Sequence, residues 1–169
     1  MADPDPGGSF APQIAVLIVL IALNAFFAMA EIAMVSSNKG RIKRLAEDGA
    51  KNAKLLLDLL ERPNRFLSVI QVCITFAGFL QSAIAATGIA EAFAEELRAT
   101  GLPYAIQIGI IVVTIALAYV NLVFGELVPK RLALQHSERI ALFTAPGARA
   151  AAALTSPFSG SCQNQSGAY

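Results

Sequence analysis

Between Asn121 and Lys130 the chain reads NLVFGELVPK, a run that sets one glycine, one carboxylate and one proline close together in otherwise apolar sequence. Proline has no N–H, and its ring collides with the carbonyl four residues earlier. Pro129 is therefore expected to break the helix and strip the Gly125 carbonyl of its partner, with no side chain on Gly125 to shield it. That oxygen would stand beside the Glu126 carboxylate. Freed backbone at membrane depth is tolerated where it lines a cavity, and unwound carbonyls of this kind coordinate cations. With neither His nor Cys in the run, the donors are all hard oxygens. Such a set suits Mg²⁺, Ca²⁺ or Na⁺ and disfavours zinc or copper. The competing reading is a purely structural kink.

Further oxygens recur at helical spacing. Asn24, Ala28 and Glu31 are four and three residues apart, as are Gln71, Thr75, Gly78 and Ser82, and then Thr114, Ala118, Asn121 and Gly125. Each set falls on one helix face. Polar groups in lipid turn toward protein or water, so the three stripes could line one cavity. Small and hydroxyl residues at this spacing also glue helices together in membranes. That reading stays open for Thr75, Gly78 and Thr114, and Cys73 reads as packing. Glu31, near the end of its helix, either serves a sodium ion with Asn24 and neighbouring oxygens or joins a second polar network with Asn121, Thr75 and Gln71.

The elements that must hold these residues are written in the charge pattern. Of 169 residues, 56% are hydrophobic and only 15% charged, against about 25% charged in soluble domains, and the mean hydropathy is +0.59. Residues Gly7 to Ala30, Phe66 to Ala90 and Ala99 to Gly125 contain no Asp, Glu, Lys or Arg. Each run exceeds the roughly 20 residues that cross a bilayer core. A disulfide scaffold, a disordered chain and a soluble nucleic-acid binder are excluded. The two cysteines imply no disulfide framework, and His136 stands alone. The expected fold is an all-α membrane protein with spans at about 13–37, 66–90 and 104–127.

Orientation follows from the basic residues. None precedes the first span, while Lys39, Arg41, Lys43, Arg44, Lys51, Lys54, Arg62 and Arg65 lie between the first and second. The next loop holds only Arg98, and Lys130, Arg131, Arg139 and Arg149 follow the third span. The positive-inside rule then predicts an N-terminus outside and a C-terminus inside. The two Asp and absent basic residues before the first apolar run argue against a signal peptide. Segment 39–64 reads as two amphipathic helices along the inner face, interrupted by Gly49 and Pro63. Segment 130–158, interrupted by Pro146 and Pro157, reads as further juxtamembrane helices in preference to a fourth crossing. Residues 159–169 look like a disordered tail or a cloning remnant.

The stretch Asn24-Ala-Phe-Phe-Ala-Met-Ala-Glu-Ile-Ala-Met-Val-Ser-Ser37, the segment Arg62-Pro-Asn-Arg-Phe-Leu67, Gln71 to Thr75 and Gly125-Glu-Leu-Val-Pro-Lys130 resemble the transmembrane domain of the CorC/CNNM family. The resemblance covers roughly residues 14 to 158. It implies Na⁺-coupled Mg²⁺ efflux by a homodimer in the cell membrane, here a bacterial inner membrane. It carries over a metal site of Glu126, the Gly125 carbonyl and Ser82. Ala28 falls near a position that is Ser in eukaryotic relatives, so a first-span contribution would come from its backbone or from Asn24. Relatives continue into paired CBS modules that bind ATP. None is legible here, so the chain reads as an isolated or truncated membrane domain, with ATP expected only through cytosolic domains missing from it.

The expected mechanism is alternating access, with one dehydrated Mg²⁺ held near mid-membrane by each protomer and a hinge at Gly125 to Pro129. The alternative is a non-transporting scaffold or regulatory anchor whose polar stripes only pack helices. An enzyme is not expected: no Ser/His pair, Asp pair or metalloprotease motif occurs. Anionic lipid headgroups at the inner leaflet are the other expected partners, and nucleic acid is not.

Overall fold

The computed structural model describes residues 10–99, 101 and 104–163. It is helical throughout, with no strand among the described residues. Helix α1 (Phe10–Ser36) is followed by the short α2 (Lys39–Glu47) and α3 (Lys51–Glu61), then by α4 (Pro63–Ile84). A π-helical turn, Ala85–Ile89, leads into α5 (Ala90–Ala99). Helix α6 (Ala105–Val120) runs through a second π-helical segment, Asn121–Leu127, into α7 (Val128–Gln135), and α8 (Ser137–Gln163) ends the described chain. Three stretches are long and apolar enough to cross a membrane: Ala11–Ser36, Pro63–Ile84 and Ala105–Gln135. Their faces carry Phe76, Phe79, Ile115, Tyr119 and Phe124 with most of their surface uncovered, as suits a solvent of lipid.

Local chemistry sets the joints. Asn38 caps α2, its Oδ1 accepting from the Gly40 and Arg41 amides at 2.9 and 3.3 Å, which satisfies donors left over at a helix start. Gly49 closes α2 at φ +93°, a conformation open to glycine and costly for side chains. Pro63 begins α4, the first-turn position where a missing N–H costs nothing. The second span thus starts three residues before its uncharged run does.

The chain forms two compact units, Met1–Ala25 with Thr75–Val128 and Phe26–Ile74 with Pro129–Tyr169. In the second, Ile42, Leu56 and Ile70 are fully buried and packed with Phe66 against the alanine face of α8, Ala141, Ala145, Ala148 and Ala151. Arg41 on α2 pairs with Glu138 at 3.0 Å, an exposed contact of little energetic weight. In the first unit, α5 packs on α6, and Ala85, Ala90 and Val113 form the small apolar centre with Ile89 and Leu117.

Two expectations about proline are corrected. Segment 130–158 is not interrupted at Pro146 or Pro157: α8 runs through both. Pro146 leaves the Leu142 carbonyl without its usual amide, and Asn52 Nδ2 on α3 donates to that oxygen at 3.1 Å. The interruption falls instead at His136, between α7 and α8. Nor does the chain break at Gly125 and Pro129; it passes through the π-helical segment into α7. Such π turns are rare and occur mostly as bulges inside α-helices, frequently at functional sites. The helical backbone of α8 reaches Gln163, into the segment read as a tail, and residues 164–169 lie outside the described residues.

Candidate functional site

Unit Met1–Ala25 with Thr75–Val128 contains a cleft of about 400 Å³ bordered by α4, α6 and the second π-helical segment. Glu126 supplies its carboxylate, Asn121 and Gln81 its carboxamides, and Thr75, Ser82 and Thr114 its hydroxyls. Gly78, Ala85 and Ala118 keep the walls low, while Phe79, Leu117 and Leu122 make them apolar. The second and third polar stripes therefore do meet. A water takes about 30 Å³ of liquid, so the space holds roughly a dozen, enough for an ion with part of its hydration shell.

Beside this cleft lies the Gly125 carbonyl, and here the structure corrects the expectation of a bare oxygen. Asn24, only 1% exposed, donates from Nδ2 to Gly125 O at 3.4 Å and to Asn121 Oδ1 at 3.5 Å. Both bonds are long, near the limit for a hydrogen bond. The amide N–H₂ thus stands between two oxygens, as a cation would. Asn24 Oδ1 is itself buried with no partner, an arrangement that costs about 1–3 kcal/mol in a folded protein. Gly125 has no room for a side chain: a Cβ there would run into Asn121 Oδ1 and lie 3.1 Å from Asn24 Nδ2.

Gln81 is the residue the stripes missed. It is 4% exposed and its Nε2 is buried without a partner. It stands three residues after Gly78, on the same helix face as the second stripe, and that spacing was the available signal. The cleft holds one carboxylate, and among the described residues no three His, Cys, Asp or Glu gather as a metal cluster. Any ion here would be held by one charge and several neutral oxygens.

The remaining candidates belong to unit Phe26–Ile74 with Pro129–Tyr169. Ala28 is fully buried and offers no side-chain donor. Glu31 pairs with Lys130, Oε2 to Nζ at 3.3 Å, each side chain about a quarter exposed. A carboxylate at that depth is expected to find such a partner. Gln71 is exposed on α4, and Pro129 is buried. Cys73 packs against the apolar core of this unit.

Residues 15–163 match the model of a family described as the cyclin M transmembrane N-terminal domain. The chain is 43% identical over 143 residues to a UPF0053 protein of Synechocystis, covering 83% of this chain and 32% of that protein. It is 33% identical over 129 residues to a UPF0053 protein of Haemophilus influenzae, covering 76% and 28%. Over 60 residues it is 42% identical to the polyamine export protein of Escherichia coli, covering 36% and 13%. The chain spans about a third of the length of the first two curated relatives.

Proposed function

This chain belongs to the cyclin M transmembrane-domain family, and on that premise we propose that it is the membrane part of a cation exporter, carrying Mg²⁺ outward in exchange for Na⁺. The observation that carries the reading is Glu126, the one carboxylate among the residues lining a cleft of neutral oxygens and apolar walls. A carboxylate there would recruit a cation, and hard oxygens select Mg²⁺ or Na⁺ over softer metals. Ser82, Asn121 and Gln81 supply neutral ligands beside it.

The Asn24 amide supports an exchange of donors at this site. Its N–H₂ holds the Gly125 and Asn121 oxygens in place, and half a turn about the terminal torsion exchanges that donor for Oδ1, now without a partner. An arriving cation would then meet Asn24 Oδ1, Gly125 O and the Glu126 carboxylate together. Ala28 adds no side chain to this set, and Glu31 is held by Lys130. Alternating access in a homodimer of the bacterial inner membrane completes the proposal, with the π-helical segment Asn121–Leu127 as the yielding element.

A second reading takes an organic polycation as cargo. The relative named a polyamine export protein, the cleft volume and its apolar walls favour it over a scaffold role. Flux in proteoliposomes with an imposed Na⁺ gradient separates them. Mg²⁺ efflux that Glu126→Gln abolishes, at unchanged melting temperature, is the expected result. Spermidine flux without Mg²⁺ flux would replace the substrate. Flux indifferent to Glu126→Gln would remove the site, and no flux of either cation would favour the scaffold.

A further inference from the structure

A second cleft, of about 310 Å³, lies within unit Phe26–Ile74 with Pro129–Tyr169, where α3 hands over to α4 and α8 passes alongside. Arg62, Arg65 and Arg149 line it, and Asp58 is its one carboxylate. Three guanidinium groups against one carboxylate leave an excess of two positive charges. Neither Arg62 nor Arg149 forms one of the ion pairs seen among the described residues. Arg62 is the C-cap of α3 and Pro63 begins α4, so two helix ends of opposite dipole sign meet here and the cleft's positive charge comes from its side chains.

Leu59, half-buried, gives this basic cleft an apolar flank above the buried Phe66. Helix α4 is also one of the three candidate spans, which sets its first residues at the level where the apolar core of a bilayer gives way to headgroups. Guanidinium forks match phosphate oxygens two at a time. We propose that Arg62, Arg65 and Arg149 seat the phosphate of an anionic phospholipid, with the half-buried Leu59 against its glycerol and upper acyl chain. The basic groups select a phosphate; the apolar flank and the position at the end of a span select a lipid over a free ion. The site is independent of the transport cleft, and its test reads no flux.

The test is thermal unfolding of the whole chain in a neutral maltoside detergent, with phosphatidylglycerol, phosphatidylcholine or inorganic phosphate added. Phosphatidylglycerol should raise Tm by roughly 5 °C at saturation, and the other two should leave it unmoved. In the double variant Arg62→Gln, Arg149→Gln the rise should vanish, while Lys43→Gln, Lys54→Gln, which removes equal charge elsewhere, should keep it. Should the first variant fold poorly, Arg62→Lys with Arg149→Lys retains the charge without the forks and should show a smaller rise. An equal loss in both glutamine variants would reduce the effect to general charge and overturn the site. A rise matched by inorganic phosphate would overturn the lipid assignment, and no rise in the parent chain would overturn both.

Discussion

Gly125 and Asn24 decide how the oxygens beside Glu126 are held. A glycine inside a helix is normally a weakness that alanine repairs by about 0.5–1 kcal/mol. Here the added methyl would run into Asn121 Oδ1 and press on Asn24 Nδ2, and overpacking of that kind costs about 1–3 kcal/mol. The clash outweighs the propensity. Gly125→Ala should therefore lower Tm by several degrees and erase any Mg²⁺-dependent rise in Tm, both read by one melting series with and without the ion. A variant more stable than the parent would mean that the Asn24–Asn121–Gly125 cluster does not exist as described.

The same chemistry recurs one scale up, at two helices that contain proline. Pro129 and Pro146 each deprive the carbonyl four residues back of its amide, and in each case an asparagine from another helix donates to that oxygen: Asn24 to Gly125, and Asn52 to Leu142. The surroundings differ. Asn24 is buried, whereas Asn52 is exposed, so water can replace the lost donor only at the second. Asn24→Ala should cost about 1–3 kcal/mol and Asn52→Ala no more than about 1 kcal/mol, measured by unfolding in detergent; equal costs would deny the buried capping role. These pairings also mark where sequence reading stopped. The three uncharged runs revealed the spans, and Gly49 and Pro63 the joints around α3, because those signals act within a few residues of themselves. Whether proline interrupts a helix depends on what a distant helix offers the freed carbonyl, so Asn52 and Asn24 carried no local mark of their role. Gln81 did lie on a legible face, but a carboxamide beside Ser82 shows its burial only once α6 is packed nearby.

For the molecule as a whole, the strongest remaining inference concerns its direction in the membrane. Twelve of the 13 Lys and Arg residues fall in α2, α3, the start of α4, α7 and α8 or at their edges, on the segments that follow an odd number of crossings. Arg98, in α5, is outnumbered by Glu91, Glu95 and Glu96. The rule that orients membrane proteins counts basic residues in short loops near span ends, and these loops are short enough for it to apply. The arginine cleft sits on that basic segment, so its lipid would come from the cytoplasmic leaflet, where anionic headgroups attract such residues. In a background lacking Cys73 and Cys162, a single cysteine at Glu95 should react with a membrane-impermeant maleimide in intact cells. One at Lys43 should react only after lysis. The reverse pattern would invert the chain and place the proposed headgroup site in the outer leaflet. It would also turn outward export through the Glu126 cleft into a claim with no charge asymmetry behind it.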